Sequence, residues 1–269
     1  MQKNKIIYIV LFIAMAIGFW CFENYYGTDF SSQDYDHFDT SELPFEASYL
    51  PSTTFNEIIL HDHYMLSYSE PYEQAEWVAY QLKRRHLTND DRKRPYFIED
   101  PKVRTVSADW RNYKGSGYDR GHLCPAGDRR FSIEAYNETF YTSNIAPQNR
   151  EFNAGIWNRL EIQTRKWCRA YGDLYIITGG ILKSNLTEIG YEDVDVPNEF
   201  YKLVFRFNNE QLQYVAFVIP NQPSNNPLKN YVVTIDELEA KSGLDFFYKK
   251  PQQWQSKVES HITLKNWKF

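Results

Sequence analysis

Two short stretches of this chain carry residue types that could do chemistry together. The first is Asp119-Arg120-Gly121-His122, and the second, about thirty residues on, is SNIAPQNREFNAGIWNRLE, Ser143 to Glu161. An imidazole titrates near neutrality, so His122 is suited to taking a proton from water at working pH. In the second stretch Asn153, Trp157 and Glu161 fall at i, i+4 and i+8. Steps of four drift by only about 40° on a helix, so the three share one face over roughly 12 Å. That face offers an amide oxygen, a ring and a carboxylate. Two oxygen donors with a single charge suit a hydrated Mg²⁺ better than a closed protein cage.

The blander reading has Trp157 packed in a core, Asn153 capping a helix and Glu161 solvated. For this segment alone it is the stronger reading, and His122 shifts the balance. Hydrolysis of a phosphodiester needs a base, a metal on the phosphoryl oxygens and cations for the developing charge. His122, the oxygen-donor helix, Arg120 and the run Arg92-Lys93-Arg94 supply that set.

With these residues in view, the sequence resembles the DNA/RNA non-specific endonucleases with a ββα-metal finger, the group of the Serratia nuclease and mitochondrial endonuclease G. The likeness rests on Asp119 to His122, on Ser143-Asn144-Ile145-Ala146-Pro147-Gln148, and on Asn153, Trp157 and Leu160-Glu161. The resemblance implies an α+β fold with a central antiparallel sheet flanked by helices. It implies His122 as general base and Asn153 as the only direct protein ligand of Mg²⁺, for which Mn²⁺ or another divalent ion substitutes. Glu161 matches the carboxylate that holds metal-bound water, Asn144 and Gln148 match supporting polar residues, and Arg120 matches the motif arginine near the phosphate. Arg94 is the best match to an upstream transition-state arginine, with Arg92 open. Cys124, beside the base, has no catalytic part. The implied activity is cleavage of DNA and RNA to 5′-phosphate products, with little sequence preference because backbone contacts carry little base information.

The elements that must position these residues are partly legible. At 42% hydrophobic and 17% aromatic, the 269-residue chain can bury a sizeable core. Its many tyrosines and phenylalanines favour strands. Ile58 to Tyr68 has strand character, and Pro71 to Leu87 puts Ala75, Val78, Ala79 and Leu82 at helical spacing. Phe97 to Ser107 reads as extended and Lys114 to Gly117 as a loop. Glu151 to Ala170 is the best helix, followed by the strand Leu174 to Thr178. FYKLVFRF and LQYVAFVIP read as a hairpin turning at 208–211, and Ile235 to Gly243 as a short helix. His61 and His63, at alternate places in a strand, would point the same way, towards solvent. His37 and His261 read as surface residues, and Trp110 stays open as a stacking partner.

Three stretches divide the chain: 1–25 as an anchor, 26–52 as an acidic, turn-rich tether, and 53–269 as the nuclease domain. Lys3 and Lys5 precede the uncharged run Ile6 to Phe22, seventeen residues, and Glu23 and Asp29 follow it. That pattern predicts an N-terminal membrane helix with the domain outside the cytoplasm, secretion after signal cleavage being the alternative. Expected partners are DNA, RNA and the membrane, with a homodimer open. Cys124 and Cys168 are equally read as a pair or as two thiols. Net charge is −5, yet Lys83 to Arg169 holds 18 basic and 11 acidic residues, a local +7, which suggests an anionic ligand. Two other functions compete with the endonuclease: a nucleic-acid-binding module with a decayed site, and a phosphodiesterase for smaller substrates.

Overall fold

The stretch that periodicity assigns to a helix, Pro71 to Leu87, is a strand. In a computed structural model that describes residues 15, 45–55, 57–209, 211–262 and 264–269, Gln74–Leu82 forms β3 between short 3₁₀ turns at Glu70–Tyr72 and Arg84–His86. Every β3 residue but Gln81 is buried. A strand covered on both faces reads as a continuous apolar run, which alternation cannot tell from a buried helix.

β1 (Glu57–Leu60) and β2 (Met65–Ser69) form a hairpin whose turn is His61 to Tyr64, so the expected single strand bends back on itself. With β6 (Leu174–Gly180), β9 (Glu199–Asn208), β10 (Gln211–Pro220) and β11 (Val232–Val233) they build a seven-stranded antiparallel sheet, ordered β1-β2-β3-β6-β9-β10-β11. The hairpin β9–β10 pairs Asn208 with Gln211 and runs to Glu199 opposite Pro220. Two small ribbons stand apart: β4 (Tyr118–His122) with β5 (Ile145–Asn149), and β7 (Thr187–Ile189) with β8 (Val194–Val196). Helix α1 (Ile133–Glu138) lies in the β4–β5 connection. After β5 come α2 (Arg150–Phe152), a π-helical turn Asn153–Trp157, and α3 (Asn158–Tyr171).

Helix α3 lays Leu160, Trp167 and Cys168 into the core with Ile176, Val204 and Phe217. The register neighbours of those strand residues turn to the other side. There Tyr175 and Phe205 stack at 5.3 Å, and Phe45 meets both edge-on. Phe45 and Leu50, in the stretch read as a tether, are buried, and Ser52 accepts a bond from the Trp77 indole. Helix α4 (Ile235–Ser242) starts on a Thr234–Glu237 capping box and ends at Gly243 with φ +76°, as expected. Helix α5 (Gln252–Val258) follows.

The chain divides into two units, Met1–Phe38 and Asp39–Phe269, and the second holds all that is described here except Met15. The apolar run Ile6 to Phe22, apart from Met15, lies outside the described residues, as do His37 and most of 26–52. Among the described residues no helix is long and apolar enough to cross a membrane. Cys124 and Cys168 are both buried and free, so the pairing is not made. Trp167 is 1% exposed, donates to the Lys268 carbonyl at 2.6 Å and stacks over Phe217. Trp167→Ala should therefore cost about 3–5 kcal/mol in urea unfolding, and a midpoint equal to that of the parent would contradict the packing described.

Candidate active site

β4 and β5 bring the two motifs into register: Asp119 opposite Gln148, Arg120 opposite Pro147, Gly121 opposite Ala146 and His122 opposite Ile145. Gly121 is required by a close approach. A Cβ there would lie 2.1 Å from Gln148 Cδ, so the Gln148 amide packs over bare backbone. Gln148 is wholly buried, and neither its Oε1 nor its Nε2 has a hydrogen-bond partner. Two orphaned polar atoms in one buried side chain are unusual and mark a place built for something more.

Asn144 closes the same ribbon. Its Oδ1 accepts from the Cys124 N–H at 2.8 Å, and its Nδ2 donates to the carbonyls of Cys124 and Thr139. The whole amide is spent on main chain, so Asn144 shapes the loop after His122 and has nothing left for a ligand.

His122 ends β4 half-buried, its ring between Phe97 at 5.6 Å and Phe140 at 4.9 Å. Its Nε2 has no partner. Burial first, and the Arg94 cation second, push its pKa down to about 3. The imidazole is thus neutral far below the range the sequence suggested, and its buried Nε2 is left unsatisfied. Arg94 lies over Phe97 and Phe140 at 5.3 and 5.7 Å, and Arg120 lies 4.8 Å from Phe97. Phe97 is the platform on which base and both guanidiniums gather. Arg92 turns elsewhere, to the Arg130 carbonyl and Asp90, so of the two it is Arg94 that stands over Phe97. Trp110 is half-buried, 5.9 Å from Arg120.

Asn153 opens the π turn and donates through Nδ2 to Asp119 Oδ2 at 3.2 Å, which ties it to the strand that ends in His122. That bond leaves Oδ1, the atom a hard cation takes. The π turn departs from the continuous helix expected here, and it improves the geometry. Eight α-helical steps overshoot two turns by about 80°, and the extra residue in the turn takes back about 100°. Asn153 and Glu161 therefore align more closely than a regular helix allows. Trp157 does not share their open face; it is fully buried against Phe152 and Phe200.

Glu161 sits beside Arg165 at 3.9 Å, and Arg165 bonds Asp128 at 2.7 Å. Tyr80 donates to the other Asp128 oxygen. Burial pushes Glu161 up to about 7, against the pull of Lys202 and Arg165. Lys202 is itself buried, its Nζ 4.8 Å from the Trp157 ring, and burial lowers its pKa. Neither Asp128 nor Lys202 follows from the motifs; Arg165 was visible only as the i+4 partner of Glu161. His61 and His63 do not point the same way towards solvent. His61 is buried with Nε2 2.8 Å from Asp100, while His63 meets Phe131 edge-on. They occupy a turn, which removes the alternation that would have aligned them. His261 is exposed, as expected.

Asn153, whose Oδ1 stays free, Asp119 bonded to it, and Glu161 two turns further on are hard oxygen donors of the kind that suits a divalent cation keeping several waters.

Residues 43–253 match the family model described as DNA/RNA non-specific endonuclease. The protein named Nuclease EXOG, mitochondrial, of Danio rerio is 36% identical over 204 residues, covering 70% of this chain and 60% of its own. Human Endonuclease G, mitochondrial, is 37% identical over 203 residues, covering 69% and 67%. A solved structure of an EndoG/EndoGI complex superposes with a TM-score of 0.67 at 30% identity, covering 73% of this chain and 87% of that one. The chain spans 56–60% of the length of the EXOG relatives.

Two outcomes test the geometry. Gly121→Ala should destabilise by about 1–3 kcal/mol, and adding Gln148→Ala should recover much of that in a double-mutant cycle; additive losses would place Gln148 elsewhere. For Glu161, a carboxyl raised on folding, the stabilising contribution is complete below about 4.5 and is lost as pH climbs through about 7. Glu161→Gln should therefore raise chelator-treated stability at pH 8 by about 1–3 kcal/mol, and identical melting profiles from pH 5 to 9 would refute the raised value.

Proposed function

Since this chain belongs to the DNA/RNA non-specific endonuclease family, we propose that it is a divalent-metal-dependent endonuclease that cleaves DNA and RNA with little regard to sequence or sugar. The reading is carried by one observation above all: a neutral His122 whose buried Nε2 has no hydrogen-bond partner, sharing the Phe97 platform with Arg94 and Arg120. In this reading a phosphodiester lies against the two guanidiniums, whose charge its non-bridging oxygens offset. Substrate anion beside Arg94 cancels the cation that depresses His122, so the imidazole becomes a better base when substrate is present. Nε2 then takes a proton from an attacking water, and the 3′-oxygen leaves, giving 5′-phosphate and 3′-hydroxyl ends. Asn153 Oδ1 and, through water, Glu161 would hold the metal, which when bound supplies positive charge to the phosphoryl and leaving oxygens. Gln148 and Asp119 orient this set, and Arg165 keeps Glu161 in place. No step of this scheme uses a ribose 2′-hydroxyl, so both nucleic acids should be accepted.

The N-terminal run Ile6 to Phe22 supports a second part of the proposal, that the enzyme is held on a membrane with its domain outside the cytoplasm. A binding module without activity is disfavoured by the unsatisfied His122 nitrogen and the oxygen donors carried by Asn153 and Glu161. A plasmid-nicking assay with and without EDTA decides the matter. His122→Ala should slow cleavage by about 10²–10⁴-fold while plasmid binding persists. Chelator-resistant cleavage, or wild-type rates from His122→Ala, would overturn the assignment.

A further inference from the structure

Away from the β4–β5 ribbon, three carboxylates meet beside β10. Asp236 and Glu239 project from the first turns of α4, and Glu259 follows the last residue of α5. One oxygen from each lies within 4.8 Å of the other two. Asp236 is exposed, Glu239 half-buried, and Glu259 only 5% exposed. The Glu259 Oε1 is buried without a hydrogen-bond partner. Glu239 spends one oxygen on the Phe246 N–H, which leaves the other.

A buried carboxylate oxygen with no donor is strongly penalised, and its surroundings add to the penalty. The charged groups acting on Glu259 are all acids, Glu239, Asp236 and Asp245, and with burial they push its carboxyl up to about 8. Glu239, buried beside Asp245 and Asp236, is pushed up to about 7. One proton on Glu259 would satisfy that single group and leave three acids together. A divalent cation offsets two charges and gives Oε1 a partner.

We propose that Asp236, Glu239 and Glu259 form a second cation site, separate from the catalytic one, that takes a hard divalent ion of Ca²⁺ size. Oxygens within 4.8 Å of one another can share one coordination sphere, and three carboxylates suit Ca²⁺, which takes six to eight oxygens, better than Mg²⁺, which keeps most of its waters. Three carboxylates supply up to six oxygens, and the exposed side at Asp236 admits water for the rest. The site is structural. The Glu259 carbonyl already accepts from the N–H groups of Ile235 and Asp236, and Tyr214 of β10 donates to it and to the His261 carbonyl. A cation on the Glu259 carboxylate fastens the end of α5 to the start of α4 through side chains as well as main chain.

Thermal melting of the full chain in CaCl₂ against EDTA tests this. Ca²⁺ at ten times its dissociation constant should raise the midpoint by roughly 3–6 °C, and Mg²⁺ at the same concentration by less. Asp236→Asn, an exposed change that leaves the fold undisturbed, should remove most of the rise and leave plasmid cleavage unchanged. Glu259→Gln should behave likewise and also melt higher than the parent in EDTA at pH 9. Asn153→Ala, which disables the proposed catalytic metal site, should keep the Ca²⁺ effect. A rise that disappears in Asn153→Ala and survives in Asp236→Asn would overturn the proposal, as would no Ca²⁺ effect in the parent chain.

Discussion

The pairing of β4 with β5 is the constraint on which the site depends. It holds two motifs from different parts of the chain in one register, with His122 opposite Ile145 and Asp119 opposite Gln148. A slip of one residue would turn every side chain on one strand to the other face. Two devices prevent it. The missing Cβ of Gly121 gives Gln148 the only room it has, and Asn144 clamps the main chain on both sides of the ribbon's end. The residues that do chemistry are thus placed by residues that do none.

Behind the ribbon lies a compact set of buried charges: Asp128 and Glu161 against Arg165 and Lys202. Formal charges balance, but the contacts are unequal. Arg165 hydrogen-bonds Asp128 at 2.7 Å and only approaches Glu161 at 3.9 Å. Asp128 has Tyr80 as well and is fully committed. Glu161 is steadied without being consumed, which keeps a carboxylate available to a hydrated ion. Removing either member of the bonded pair Asp128–Arg165 costs about 3–5 kcal/mol, because it strands the other. The arrangement is therefore rigid as well as reactive.

Much of this was legible beforehand, and the failures have physical causes. The β9–β10 hairpin and α4 announced themselves because aromatic and β-branched runs on either side of an Asn-Asn turn, and capped helices, carry their signals locally. β3 was misread because burial on both faces erases alternation. His61 was read as solvent-facing because nothing local shows that Leu60 ends a strand or that Asp100 waits nearby. In the site, His122, Arg94, Arg120 and Asn153 were named from motifs. The Phe97 platform, Asp128 and Lys202 come from remote segments that only the fold brings in. That Arg94 rather than Arg92 lies over Phe97 also needed three dimensions, since the two differ in partners rather than in type.

The π turn at Asn153–Trp157, closed by the Asn158 N–H on the Asn153 carbonyl, sets a phase rather than a composition. Side-chain replacements that keep the turn leave the phase between Asn153 and Glu161 untouched. Straightening it at its present length would restore eight ordinary helical steps and rotate Glu161 by about 100° relative to Asn153, whereas excising one residue would leave seven such steps and the phase already present. This segment should therefore accept the loss of one residue and resist any change that regularises it without one.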